Sequence, residues 1–195
     1  MKRSISNTNN PFPNPVFIVG TYDVAGVPNA INVACGGVAS GNPSRLSISV
    51  RPERYSHGSL MLRKAFTVNL PSAEYVDAAD YFGISSGRYH NKFEETGLTP
   101  VKGDFVDAPY IKEFPINLEC IVKNIIDLGQ YTLFIGEVLD IKVNNDLAKD
   151  NINIWDAEGI LTFDSMNRVY RKPGEVVGSA FSCGQKYKRV RNIFE

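Results

Sequence analysis

The stretch Val27–Arg51, VPNAINVACGGVASGNPSRLSISVR, sets Asn29, Asn32, Cys35, Ser40, Ser47 and Ser49, with Gly36, Gly37 and Gly41, among apolar residues. A sheet core needs bulk, and this stretch offers gaps and amide groups instead. Those residue types admit two readings. A flat polar ligand could lie against the backbone, or the small residues mark bulges and tight turns. Just beyond, Arg51, Arg54, Ser56 and His57 lie close together, and Lys92 follows the loop-like stretch Ile84–Asn91. A hydroxyl and free N–H groups at a helix start, with cations nearby, form a donor set for an anion. Each basic residue is also readable as a solvated surface charge. His57 is the candidate acid–base group, because its unperturbed pKa lies near neutrality. Its other reading is a first-turn helix residue, exposed or bonded to a ligand. Cys35 is either a redox thiol or a small buried apolar side chain.

The elements that position these residues are mostly short strands. Val16–Tyr22 (VFIVGTY) reads as a buried strand. Asp23–Pro28 reads as a hairpin turn with Gly26 at positive φ, and Asn29–Cys35 as the returning strand. A loop of small residues follows. Arg45–Val50 then alternates, with Leu46, Ile48 and Val50 on one face and Ser47, Ser49 and Arg51 on the other. Ser56 is expected to be the N-cap of a short helix reaching about Lys64. Phe66–Leu70 is a further strand. Pro71–Ser72 is expected to cap a second helix that stops at Gly83. Ile84–Asn91 reads as loop. Gly97–Pro115, with Pro100, Pro109 and Pro115, is expected to be an irregular surface connection. Ile116–Ile126 and Tyr131–Val143 form a hairpin around Asp127–Gln130. Asn144–Asp156 reads as loop or partial helix, and Ile160–Phe163 with Arg168–Arg171 as a last short hairpin. The basic, aromatic tail over 174–195 is either a solvated end or a helix docking elsewhere. Sequential hairpins favour a mainly β, antiparallel barrel with a few short helices.

Composition narrows the function classes. The chain has 195 residues, enough for one domain over residues 1–195. Its 21 Lys and Arg balance 21 Asp and Glu, so charge gives no argument for a nucleic-acid partner. No apolar run approaches the ~20 residues of a membrane span, and the start MKRSISNTNN lacks the apolar region of a secretory signal. Three well-separated cysteines, Cys35, Cys120 and Cys183, argue against disulfide or zinc scaffolds. Reduced thiols and a cytoplasmic location are expected. The two histidines, His57 and His90, do not build a histidine-rich metal site, and no metal is expected. Neither a G-x-G-x-x-G fingerprint nor a P-loop is present.

Motif order carries more. The runs PVFIVGTYDVAGVPNAINVACGG, LSISVRPERYS, FTVNLPS, AADYFGISSGRYHNKF, TGLTPV, APYIKEFPINLEC and TLFIGEV occur in that order. Together they resemble the flavin reductase-like proteins, flavoredoxins in particular, over roughly Pro15–Val143. The resemblance implies a split β-barrel binding FMN, working as a homodimer with the flavin near the subunit interface. Carried over by position, the flavin contacts are Asn29, the segment Ala30, Ile31, Asn32, Val33, Ala34 and Cys35, then Ser49, Val50, Arg51, Ser56, Lys92 and Tyr131. Two of these depart from the family pattern: Cys35 falls where relatives often have tryptophan, and Tyr131 where many carry histidine. Phosphate chemistry suits Ser56 with Arg51 and Lys92 as cations and Arg54 as a spare. Asn29, Asn32, Ala34 and Val50 suit the ring in kind, and Tyr131 and Trp155 are the aromatics that could stack on it or cover it. The implied activity passes electrons from reduced nicotinamide, NADH or NADPH, through FMN to a second acceptor: free flavin, a ferric complex or a protein. Two alternatives stand beside it. One is an FMN-dependent electron carrier between proteins with no NAD(P)H activity, the other a barrel-shaped binding module with no redox role.

Overall fold

The computed structural model describes residue 4, residues 10–145 and residues 159–187. In chain order the strands and helices are β1 (Asn14–Pro15), β2 (Phe17–Tyr22), β3 (Pro28–Val33), β4 (Gly36–Gly41), β5 (Ser44–Val50), α1 (Tyr55–Arg63), β6 (Ala65–Leu70), α2 (Val76–Ile84), α3 (Lys92–Thr96), β7 (Pro100–Lys102), β8 (Pro109–Ile111), β9 (Ile116–Asp127), β10 (Thr132–Val143), β11 (Thr162–Asp164) and β12 (Val169–Arg171). Seven strands form one antiparallel sheet in the order β3-β2-β6-β9-β10-β5-β4. Its two edges, β3 and β4, are consecutive in the chain and joined only by Ala34 and Cys35. The sheet therefore curls back on itself as a split barrel. Period-two alternation fills the inside: Leu46, Ile48 and Val50 of β5 meet Phe17, Val19, Phe66, Val68, Cys120 and Phe134. Burial pushes the Cys120 thiol up to about 12, so it acts as a small apolar side chain.

A second apolar layer lies on the outer face of β2 and β3. Ile18 and Ala30 pack there against Ala79 and Phe82 of α2, Phe93 of α3, and Ile111 and Phe114. Turn chemistry sits where expected. The Asp23 carboxylate accepts from the N–H groups of Ala25 and Val27, both at 2.8 Å. Gly26 and Gly129 take φ of 80° and 81° at the two hairpin turns. The hairpin of β9 and β10 and the short pair β11–β12 also form as expected, and β1 joins β11.

Several local expectations are corrected. The small-residue segment after Cys35 is an edge strand, β4, not a loop. A Cβ at Gly36 would fall 2.7 Å from Phe17 Cδ2 and 3.1 Å from the Ser47 carbonyl, so glycine lets this edge pass over the core. The 97–115 segment is not irregular: β7 and β8 pair there, with their prolines at strand starts and Ala108, Ile111 and Phe114 fully buried. The second helix begins as a 3-10 turn at Ala73–Tyr75 and runs on through Gly83 to Ile84. Ser72 makes no side-chain cap bond. At Gly83 the missing Cβ allows α2 to approach Asn32, which it would meet at 3.3 Å. Lys92 and Phe93 open a helix, α3, capped by the Asn91 side chain. The expectations for Trp155 and most of Asn144–Asp156, and for the tail beyond Tyr187, lie outside the described residues. Among the described residues, no helix is long and apolar enough to cross a membrane.

Candidate functional site

Helix α1 starts one residue before the expected cap. Arg54 donates its N–H to the Arg51 carbonyl at 3.0 Å, and this turn delivers Arg54 as the N-cap. Among the described residues no side chain caps α1; the His57 N–H donates to the Arg54 carbonyl at 2.9 Å, so the N–H groups of Tyr55 and Ser56 are the ones left for water or a ligand. Ser56 therefore is not the cap. It sits in the first turn, 1% exposed, and accepts from Asn29 Nδ2 at 2.8 Å. Its own O–H remains to donate elsewhere.

These residues wall a hollow of about 230 Å3 formed by Asn29 and Ile31 of β3, Glu53, Arg54, Tyr55 and Ser56 at the start of α1, Ser85, Ser86 and Gly87 after α2, and Lys92 of α3. Lys92 is 3% exposed. Its Nζ donates to the carbonyls of Phe82 and Ser85, each at 3.3 Å, at the carbonyl-rich end of α2. An ammonium has three donors, so one N–H is left. No carboxylate pairs with Lys92 among the described residues. Burial, reinforced by the Arg54 charge, holds its pKa down at about 8. Gly87 permits the close approach of the loop after α2: a Cβ there would lie 2.8 Å from Tyr55 Cδ1.

Around this hollow the structure gathers Asn29, Ile31, Ser56 and Lys92. Arg51 and Tyr131 lie at a neighbouring hollow of about 320 Å3, lined by Arg51, Pro52, Glu53, Gly129 and Gln130. There the Arg51 guanidinium lies over the Tyr131 ring at 5.1 Å and pairs with Glu53 at 3.5 Å. Glu53 borders both hollows. The side chains of Ala30, Val33 and Val50 belong to the two cores, which leaves their backbone as the part able to meet a ligand. Asn32 turns to the outer face, where Nδ2 donates to the Ala79 carbonyl at 3.0 Å and to the Tyr170 hydroxyl at 3.3 Å. Ala34 and Cys35 form the corner between β3 and β4, held by Ser49 N–H on the Cys35 carbonyl at 2.8 Å. Cys35 is exposed, not a buried apolar group, because this corner lies outside the barrel wall. His57 Nε2 lies 2.9 Å from Thr132 Oγ1, and its ring meets Phe134 edge-on at 5.7 Å. Burial lowers its pKa against a weaker upward pull from Glu53.

Arg54, not Arg51, stands beside Lys92. Glu53 and Tyr55 are wall residues that the sequence reading did not single out, and so are Ser85, Ser86 and Gly87. The signal of the last three was the S-S-G run ahead of Lys92. The letters Gly83–Gly87 (GISSG) also match the spacing of a nucleophile elbow, but they fall at the end of α2 and not on a strand-to-helix turn, so the resemblance is in letters only.

Comparison with known proteins agrees with this architecture. Residues 9–165 match the flavin reductase like domain, and the chain belongs to that family. Its fold is similar to flavoredoxin of Desulfovibrio vulgaris (Miyazaki F), with a TM-score of 0.87 and 39% identity over 94% of this chain and 100% of that one. It is also similar to flavoredoxin from Methanosarcina acetivorans, with a TM-score of 0.89 and 25% identity over 95% of this chain and 98% of that one. An uncharacterized protein of Archaeoglobus fulgidus is 35% identical over 109 residues, a match covering 56% of this chain and 61% of the relative's length.

Proposed function

We propose that the chain is an FMN-binding oxidoreductase that carries electrons from NADH or NADPH to a second acceptor. The carrying observation is the buried Lys92 ammonium, without a carboxylate partner among the described residues, facing the same hollow as Ser56 and Arg54 at the uncapped start of α1. That donor set fits a phosphate of nearly two charges. Lys92 and Arg54 would hold its charge, while the Ser56 O–H and the first N–H groups of α1 would complete its hydrogen bonds. Among the described residues β3 carries no strand partner on its far side, and its backbone edge would meet the donor–acceptor edge of the flavin ring. Ile31 would supply apolar contact. When bound, the flavin supplies the redox chemistry, accepting a hydride from reduced nicotinamide and releasing two electrons to free flavin, a ferric complex or a protein.

The working unit in this reading is a cytoplasmic homodimer. Ile121, Ile125, Leu139 and Ile141 leave apolar surface on the long β9–β10 hairpin, which a second copy would cover. Cys35 and Cys183 are exposed free thiols, in keeping with a reducing compartment. The test starts from the visible spectrum of the purified protein, before and after denaturation, with the released species identified. The loaded protein is then mixed with NADH or NADPH without oxygen. Bleaching by either donor is the expected result. Bound FMN that neither donor bleaches would replace this reading with an electron carrier between proteins. A colourless protein that cannot be loaded would end the flavin reading. Sedimentation at micromolar concentration tests the dimer, and an FMN-loaded monomer would refute it.

A further inference from the structure

A hollow of about 560 Å3 lies between α2 and α3 and shares no wall residue with the Lys92 hollow. Asp77, Ala78 and Tyr81 of α2 line it, with Glu74 and Tyr75 from the 3-10 turn ahead of that helix. Spacings of three and four residues put Glu74, Asp77, Ala78 and Tyr81 on one helical face. The other face of α2 is spent on the core, where Ala79 and Phe82 are fully buried and Phe82 meets Phe93 of α3 at 5.6 Å. Glu95 of α3 supplies a carboxylate across the hollow from α2. This carboxylate is held in place. The Tyr81 hydroxyl donates to Glu95 Oε2, and His90 Nδ1 lies 3.2 Å from Glu95 Oε1. The Tyr81 bond, reinforced by His90, keeps the Glu95 carboxyl below its ordinary range, so it is charged at neutral pH.

The side chains of Glu74 and Asp77 have no hydrogen-bond or ion-pair partner among the described residues. Carboxylates alone would be a solvated helix face, and Asp77 also suits the first turn of α2. The hollow adds what a solvated face lacks: a concave wall of Tyr75, Ala78 and Tyr81, with a volume that holds a small organic molecule. No Lys, Arg or His lines it, so its field is negative, and the faces of aromatic rings attract the same sign of charge. An inorganic cation would leave the tyrosine wall unused. A neutral apolar molecule would leave the carboxylates unused.

We propose that this hollow binds a small organic cation, an alkyl amine or alkyl guanidinium. Its charge pairs with Glu95, Asp77 and Glu74, and its stem lies along Ala78 and the Tyr81 ring. The site stands whether or not the chain binds flavin. The test is calorimetric titration of the full-length protein with butylguanidinium and with butylurea, which has the same shape and no charge. Butylguanidinium should bind saturably, one per chain, and more weakly as salt is added. Butylurea should bind about tenfold more weakly or worse, the scale of a charge-assisted contact. Glu95→Gln should weaken butylguanidinium by about fivefold or more, and Tyr81→Leu by about threefold or more. Urea unfolding of each variant checks that its fold is kept. Asp77→Asn, on the facing helix, gives a second reading if either of the other two disturbs the contact between α2 and α3. Equal affinity for the charged and neutral probes, an affinity that none of the variants moves, or no saturable binding of butylguanidinium would each overturn the proposal.

Discussion

The side-chain amide of Asn29 donates to the hydroxyl of Ser56 at 2.8 Å, joining the edge strand β3 to the first turn of α1 where both residues are buried. The bond fixes the angle at which the start of α1 faces the Lys92 hollow. It also leaves the Ser56 proton free for an anion. Ser56→Ala removes the acceptor and strands a buried N–H donor, which costs about 1–3 kcal/mol. Urea unfolding should show a lower midpoint at unchanged slope. FMN affinity should fall by about tenfold with it, while riboflavin changes less. An unchanged midpoint would show that Asn29 and Ser56 are not coupled.

Much of the barrel was legible because its signals are local. Alternation in β5, the Asp23–Gly26 and Asp127–Gly129 turns and the long hairpin are each encoded in a few adjacent residues. What failed depended on distant contacts. Gly36 and its neighbours read as a loop because the bulk they avoid, Phe17, comes from another strand. Pro100 and Pro109 suggested irregular chain, yet each opens a short strand whose neighbours bury Ile111 and Phe114. At the site, Ser56 and Lys92 could be picked from residue type and motif. Arg54 was legible only as a spare cation; that it stands nearer Lys92 than Arg51 does turns on the cap of α1 falling at Arg54, two residues ahead of Ser56. Asn32 had the right chemistry for a ring contact, but the period of two sends its side chain to the helical layer.

Lys92 gives the FMN complex a pH dependence of definite sign. Its pKa of about 8 in the free protein lies below the ordinary 10.5 because burial and Arg54 disfavour the charge. A bound phosphate favours that charge and raises the pKa. Binding below about pH 8 therefore finds the lysine already charged, and binding above it must take up a proton. FMN affinity should weaken as pH rises through 8, while riboflavin affinity stays nearly flat. Lys92→Gln should flatten the FMN curve and weaken FMN by about 1–3 kcal/mol at pH 7. The ligand-free protein moves the opposite way. The unfolded chain binds more protons between about 8 and 10.5, so stability without FMN should rise across that window. Equal losses for FMN and riboflavin in the variant would show that Lys92 does not touch the phosphate.

Glu119 is a buried carboxylate that organises the loop between β7 and β8. It accepts from the backbone N–H groups of Asp104, Phe105 and Val106 at 3.1, 2.7 and 3.1 Å and pairs with Lys142 at 2.9 Å. Lys142→Met removes the only cation paired with it among the described residues and leaves a charge in the protein interior. Losing one partner of a buried pair costs about 3–5 kcal/mol. The three N–H groups that remain place the expected loss near the lower figure. Lys142 also pairs with the more exposed Asp104 and Asp140, so Asp140→Asn should cost much less, about 1 kcal/mol or below. Chemical denaturation of the two variants side by side checks the ranking, and equal losses would contradict it.

His57 is the residue whose chemistry and geometry diverge most. Its type suggests proton transfer, but Nε2 is engaged with Thr132 and the ring is packed on Phe134, so its observed work is to tie α1 to β10. Burial holds its folded pKa below the unfolded value, with Glu53 opposing weakly. The unfolded chain therefore binds the extra proton first as pH falls below about 6.5, and stability declines with acid. His57→Gln can keep a bond to Thr132 but cannot titrate. Its unfolding midpoint should fall less than that of the wild type between pH 7 and pH 5. Hydride transfer to flavin needs no protein base in principle, so the rate of anaerobic FMN reduction in this variant should stay within about threefold of wild type. A loss of about a hundredfold or more, the range of general acid–base catalysis, would instead give His57 a direct part in proton transfer.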